Sequence, residues 1–321
     1  MAGRGELGRS ADESMGTTGE GAARQRFGRG AAFIQGAVVP IHEARIPIVD
    51  SGFTHSDVTY DVVSVWHGRF FRLDDHLDRF LHNASKLRLR LEHDRTAVRQ
   101  ILLDLVARTG IRDAYVSMMV TRGWSPSGSR DLRTYANQFY AYVLPFVWVF
   151  SPEQQQAGVR AVISPVERIS DRAVDPRVKN YHWGDLIRAT WDAVDRGNET
   201  GILLDRYANV TEGPGFNVFA VVDGVLRTPK TGCLLGITRQ TVLEIAAEAG
   251  IPAQVGDLPV AELRSAQELF FTTTAGGVMP VRTLDDRPVG DEFPGPITTS
   301  IREQYWRAHD DPRYATDVDY G

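Results

Sequence analysis

Large apolar side chains begin to recur only beyond residue 30. Residues 1–30 are rich in Gly, Ala, Ser, Arg and Glu. Such a stretch cannot bury enough surface to offset its ordering entropy, so a flexible tail is expected. The next segment is strand-like. Phe33-Ile34, a turn at Gln35-Gly36 and Val38-Val39 predict a hairpin, and the β-branched run 58–71 is broken by a turn at His67-Gly68. The period then changes. Leu77, Phe80, Leu81, Ala84 and Leu87 stand at helical spacing, with Asp74 or Asp75 as the N-cap. A second helix is predicted over 96–108, with Ile101, Leu102, Leu105 and Val106 inward and Gly110 at its end. Strands at 114–121 and 138–148 flank a polar loop, 122–137.

Residues 151–156 are polar and contain a proline, as an interdomain linker would. Beyond them the pattern predicts a strand at 159–164, an irregular stretch at 166–180 and a helix at 184–195. Strands follow at 202–205, 209–212 and 217–227, the last folded at Asp223-Gly224. A helix over 238–249 ends at Gly250, and a short strand, 270–273, runs into Ala275-Gly276-Gly277. The expectation is a small α+β domain over 31–150 and a larger, mixed-sheet domain over 157–321. No internal repeat is seen.

Length agrees: 321 residues suggest about two domains. Composition narrows the function classes. A net charge of -5 with interspersed signs has no basic stripe for nucleic acid. The apolar run 141–150 is broken by Pro145 and is far short of the roughly 20 residues of a membrane span. With no secretory signal pattern and one cysteine, Cys233, a reducing cytoplasmic setting is expected. Cys233 itself reads as a small buried filler. One cysteine and scattered histidines predict no metal site. Lys and Arg total 36, yet only Lys86, Lys179 and Lys230 are lysine. Arginine cannot act as an amine nucleophile, whereas a desolvated lysine can.

No serine-hydrolase elbow, P-loop or dinucleotide fingerprint is present. What remains is a scattered set. Lys179 lies in Pro176-Arg177-Val178-Lys179-Asn180, and Glu212 in Val210-Thr211-Glu212-Gly213. Gly236-Ile237-Thr238-Arg239 opens a helix whose free N–H groups suit an anion, although Thr238 could equally be an N-cap. Thr272-Thr273-Thr274-Ala275-Gly276-Gly277 is a second phosphate cradle, and Arg79 stands on the polar side of its helix. A reactive lysine, a carboxylate, an arginine and phosphate cradles are together what pyridoxal 5′-phosphate requires.

The same segments carry a resemblance. His76-Leu77-Asp78-Arg79-Phe80, Val178-Lys179-Asn180, Thr211-Glu212-Gly213-Pro214-Gly215-Phe216-Asn217, Leu235-Gly236-Ile237-Thr238-Arg239 and Thr273-Thr274-Ala275-Gly276-Gly277 resemble, in order, the class IV aminotransferases, the fold-type IV pyridoxal-phosphate enzymes. Residues 50–62, 70–76 and 180–186 are most similar to the (R)-selective amine transaminases. The resemblance implies a homodimer with its active site between domains. It implies ping-pong transfer of an amino group, through Schiff-base chemistry, from an (R)-amine or D-amino acid to a keto acid such as pyruvate. Lys179 would be the catalytic lysine, Glu212 the partner of the ring nitrogen and Leu234 the packing on one ring face. Arg79, Ile237, Thr238, Thr273 and Thr274 would hold the phosphate. His55, Tyr60, Val62, Tyr115, Ser117, Trp183 and Ala275 would line the substrate pockets, with Tyr115 and Trp183 equally readable as core aromatics. A mobile loop arginine, Arg130 with Arg122 and Arg133 as rivals, would meet a carboxylate. A D-amino-acid or branched-chain aminotransferase is the alternative; a lyase resembling aminodeoxychorismate lyase, or a non-catalytic cofactor-binding protein, stands further off.

Overall fold

The computed structural model describes residues 26–321. Two sheets organise them. The first is built from β1 (Ala31–Ile34), β2 (Ala37–Pro40), β3 (Val58–Trp66), β4 (Arg69–Phe71), β5 (Ala114–Trp124), β6 (Ala136–Pro145) and, from the far end of the chain, β16 (Ala315–Asp317). Its seven strands are antiparallel, in the order β16-β4-β3-β5-β6-β1-β2. Side chains alternate between its faces. Val63, Val65, Val116, Met118 and Val143 face the core, where the helices Leu73–Lys86 and Arg95–Thr109 bring Leu77, Phe80, Leu102 and Leu105. The opposite face presents Tyr60 and Val62 of β3, and Ser117 of β5 stands directly across from Val62.

The strands of the second sheet are β7 (Val159–Glu167), β8 (Thr200–Leu204), β10 (Phe216–Val222), β11 (Val225–Pro229), β12 (Ala253–Gly256), β13 (Glu268–Thr273) and β14 (Gly277–Leu284). They run β12-β11-β10-β13-β14-β7-β8 and mix parallel with antiparallel pairs. Two short strands join them: β9 (Glu212–Gly213) on β10 and β15 (Arg287–Pro288) on β14. Both faces are covered. Phe271 and Val218 enter one core, while the adjacent Phe270 and Phe219 enter another beneath the helices Ile237–Glu248 and Pro296–Ala308.

Several expectations need correction. Residues 1–25 of the expected tail lie outside the described residues, but Phe27 is buried in the first core, so order starts before residue 31. The proposed linker is helical over Pro152–Ala157, where Ser151 and Gln154 form a capping box. The domain division at 151–156 is not a clean cut, because β16 returns to pair with β4. The first long helix starts at Leu73 with Arg72, in a left-handed conformation, at its N-cap; Asp74 and Asp75 lie in its first turn. Of the strand expected at 209–212, only Glu212 is strand. Among the described residues no helix is long and apolar enough to cross a membrane, and no group of three or more His, Cys, Asp or Glu could hold a metal ion.

Candidate active site

Lys179 sits on an irregular segment with no repeating backbone ladder of its own. Its carbonyl instead accepts from the Thr59 hydroxyl at 2.7 Å and from the Tyr60 N–H at 3.3 Å, and Asn180 bridges to Thr59. The segment holding the amine is thereby stitched onto β3 of the other sheet. Asn180 tightens the turn further: its side chain donates to Val178 O at 2.7 Å and accepts from His182 N at 2.9 Å. The amine nitrogen lies 4.4 Å from the centre of the Tyr60 ring. Burial, and then the Arg79 charge, lower its pKa from 10.5 to about 8, against the opposing pull of Asp61 and Glu212.

Arg79 projects from the Leu73–Lys86 helix and is held by Asp61 of β3 at 2.7 and 2.8 Å. Asp61 is fully buried and also meets His76 Nδ1 at 2.7 Å. Burial would raise the Asp61 pKa, but Arg79 and His76 outweigh it and hold the carboxyl well below its usual range. Arg79 reaches across to Leu235 O at 3.1 Å, which sets its guanidinium beside the start of the Ile237–Glu248 helix. No side chain caps that helix; Gly236 is its N-cap. The first-turn N–H groups of Ile237 and Thr238 have no intrahelical acceptor, so the helix end suits an anion. Gly236 is required by crowding rather than by its φ of -66°: an added Cβ would lie 2.3 Å from Asn217 Oδ1.

Glu212 opens β9 with little exposure. Its Oε1 accepts from Arg168 Nε and Nη2 at 3.2 and 2.9 Å, and its Oε2 from Leu234 N at 2.9 Å. Burial pushes the Glu212 pKa up, with Arg168 and the Leu234 N–H opposing.

These groups converge on one cavity of about 200 Å³, lying between the two sheets. Of the expected site residues, Tyr60, Val62, Arg79, Tyr115, Lys179, Trp183, Glu212, Leu234, Ile237, Thr238, Thr273, Thr274 and Ala275 line it. Five others do not. His55 is exposed at the end of the Ser51–His55 helix, bonded only to its neighbour Thr54. Ser117 is buried in β5 with its hydroxyl unpartnered. Arg122 is held by Asp57 and by the carbonyls of Leu87 and Arg88. Arg133 is folded back on Asp131, and Arg130 is exposed on the same loop. Sequence reasoning missed Arg168 and Asn217, which also line the cavity, and Asp61, which orients Arg79. Nothing local separates Arg168 from the other arginines, since its partners lie 17 and 44 residues further on.

The donors fit a phosphorylated aromatic aldehyde. A free helix N-terminus with Gly236 before it, Thr238, Thr273, Thr274 and Arg79 line this cavity, and so do the buried carboxylate Glu212 and the amine of Lys179.

A protein of this class is an amino-group transferase: the amino-transferase class IV family model matches residues 59–284, and the chain belongs to that family. Among its relatives is a putative branched-chain-amino-acid aminotransferase of Methanocaldococcus jannaschii. It is 29% identical over 275 residues, covering 85% of this chain and 94% of the relative. The D-alanine aminotransferase of Bacillus licheniformis is 29% identical over 270 residues, covering 83% and 93%. A T.th. branched-chain amino acid aminotransferase, solved with pyridoxamine 5′-phosphate, superposes with a TM-score of 0.84 at 26% identity. That match covers 91% of this chain and 100% of the other. The two-sheet α+β architecture is that of fold-type IV aminotransferases.

Proposed function

We propose that this chain is a pyridoxal-phosphate transaminase whose amino donor is an (R)-amine without an α-carboxylate and whose acceptor is a small keto acid such as pyruvate. One observation carries the subclass. The Lys and Arg side chains among the described cavity-lining residues are Lys179, Arg79 and Arg168. Both arginines are already held by carboxylates. Arg168 is shared by Glu212 and Asp185, and Arg79 is assigned to the phosphate, so among the described cavity-lining residues no further fixed cation stands ready for a substrate carboxylate, which would be costly to bury unpaired. The walls near the amine are Tyr60, Val62, Tyr115 and Trp183, which suit an apolar donor.

When bound, the cofactor supplies an aldehyde that links to amines and a ring that takes up an electron pair. The chain supplies the rest. Lys179, part neutral near pH 8, is the nucleophile and the proton carrier at the reacting carbon. Glu212 would accept a hydrogen bond from the ring nitrogen and favour its protonated form. Arg79, Thr238, Thr273, Thr274 and the helix end would hold the phosphate, and Leu234 would pack on the ring. The keto-acid carboxylate recruits Arg130 from the exposed loop between β5 and β6. Two copies are expected to pair, and the exposed Ile46, Ile48, Val49 and Phe53 are apolar surface that pairing could cover; sedimentation of the purified chain tests the dimer.

The deciding experiment offers (R)-1-phenylethylamine, its (S)-enantiomer, D-alanine and L-leucine with pyruvate or a branched keto acid. Turnover of the (R)-amine above the rest is expected. Failure of the (R)-amine with brisk use of D-alanine or L-leucine would assign the chain to the D-amino-acid or branched-chain type instead, a reading favoured by the names of its relatives. Borohydride reduction of the yellow protein followed by peptide mapping should label Lys179; a label elsewhere removes the mechanism.

A further inference from the structure

Arg168 does not belong to Glu212 alone. Its Nη1 donates to Asp185 Oδ2 at 2.6 Å, while Nε and Nη2 serve Glu212. Arg168 follows directly on β7, and Asp185 lies in the first turn of the Gly184–Asp195 helix, six residues beyond Lys179. Asp185 Oδ2 also accepts from Ile169 N at 2.7 Å, and Oδ1 from Leu186 N at 2.9 Å. The side chains are 6% (Arg168), 9% (Glu212) and 11% (Asp185) exposed. Asp185 is not among the residues lining the cavity.

The charges of this row matter. Glu212 with Arg168 alone sums to zero and would attract a ring proton weakly. Two carboxylates around one guanidinium sum to -1. Of the other groups that face Glu212, Lys179 is cationic only while its amine is free and protonated, and Tyr60 and Cys233 are neutral with their pKa values raised by burial.

We infer that Asp185 is a positioning residue for the reaction: it shares the Arg168 guanidinium so that Glu212 keeps the excess negative charge needed to hold a proton on the cofactor ring. This rests on the cofactor reading above. Arg168 stops burial from neutralising Glu212, and Asp185 stops Arg168 from cancelling it.

The test is the pH at which the visible absorption band of the holoenzyme is lost. Asp185→Asn removes one negative charge and should move that midpoint down by about one pH unit, which one elementary charge gives at roughly 12 Å and an effective dielectric of about 20. Arg168→Gln removes the cation that keeps the buried Glu212 ionised, so the lost positive charge is offset by neutralisation of Glu212 and the midpoint should not rise. Asp185→Glu should leave it near the wild-type value. An unmoved midpoint in Asp185→Asn, a rise in Arg168→Gln, or a shift in Asp185→Glu equal to that of Asp185→Asn would each overturn the inference. If Asp185→Asn does not fold, Asp185→Ser takes its place: the same downward shift is expected, and an unmoved midpoint overturns the inference. A wild-type chain with no visible band at all would instead overturn the cofactor reading, and this inference with it.

Discussion

Replacing Lys179 by methionine should make the cofactor-free protein more stable. The charged amine is disfavoured in the fold: its pKa falls from 10.5 to about 8, first through burial and then through Arg79. A shift of that size corresponds to roughly 3 kcal/mol, an upper value because the cavity admits some solvent to the side chain. The sign follows from proton binding. Between pH 8 and 10.5 the unfolded chain holds a proton on this amine that the folded chain has released, so stability rises with pH across that window. Below pH 8 both states are protonated and the destabilisation is fully present. Lys179→Met, similar in length and uncharged, removes it. Urea denaturation of the apoprotein at pH 7 should give a gain of up to about 3 kcal/mol, shrinking as pH rises from 8 towards 10.5. The wild-type apoprotein should recapture the cofactor faster as pH rises, with a midpoint near 8. A variant no more stable than wild type at pH 7, or a gain that ignores pH, would show that the amine is not held in a disfavoured charge state.

Other substitutions probe separate parts. Gly236→Ala should leave the fold intact but weaken cofactor binding by about tenfold or more, since the new methyl collides with Asn217 Oδ1 where the loop meets the helix end; reconstitution of apoprotein measures it, and unchanged affinity would remove the crowding argument. His309 is buried, stacked on Phe71 at 3.8 Å, and burial lowers its pKa to about 4. The stability it lends is present above pH 6.5 and lost as pH falls from 6.5 towards 4, by roughly 3 kcal/mol at most. His309→Phe should flatten that acid slope in urea titrations at pH 4.5 and 7; an unaltered slope would assign it to other groups. Arg130→Ala should raise KM for pyruvate several-fold with little change for the amine donor, and equal effects on both would discharge Arg130 from carboxylate binding.

The parts legible in the sequence were those with local causes. The Leu73–Lys86 helix announces itself because one apolar face repeats every three to four residues, and Gly250 ends a helix because its φ of +68° suits glycine. Lys179 stood out through the scarcity of lysine. Long-range causes were hidden. Arg168 acquires its role from Asp185 and Glu212, which only the fold brings near it. Strand β16 has three residues, too few for any period, and exists because β4 offers it an edge. The helix at Pro152–Ala157 did leave a capping signature in Ser151 and Gln154, masked by the polar composition around it.

The backbone of Lys179 is fastened to Thr59 and Tyr60 across the gap between the sheets. The segment that carries the amine is therefore also a rivet. On the proposed mechanism a ligand linked there and held by Arg79 on one side and the Ile237 helix end on the other would span the same seam, so shearing of the halves would have to pull the ligand loose. Screens that score this protein by heat tolerance will consequently select, in large part, for how tightly it retains that small molecule.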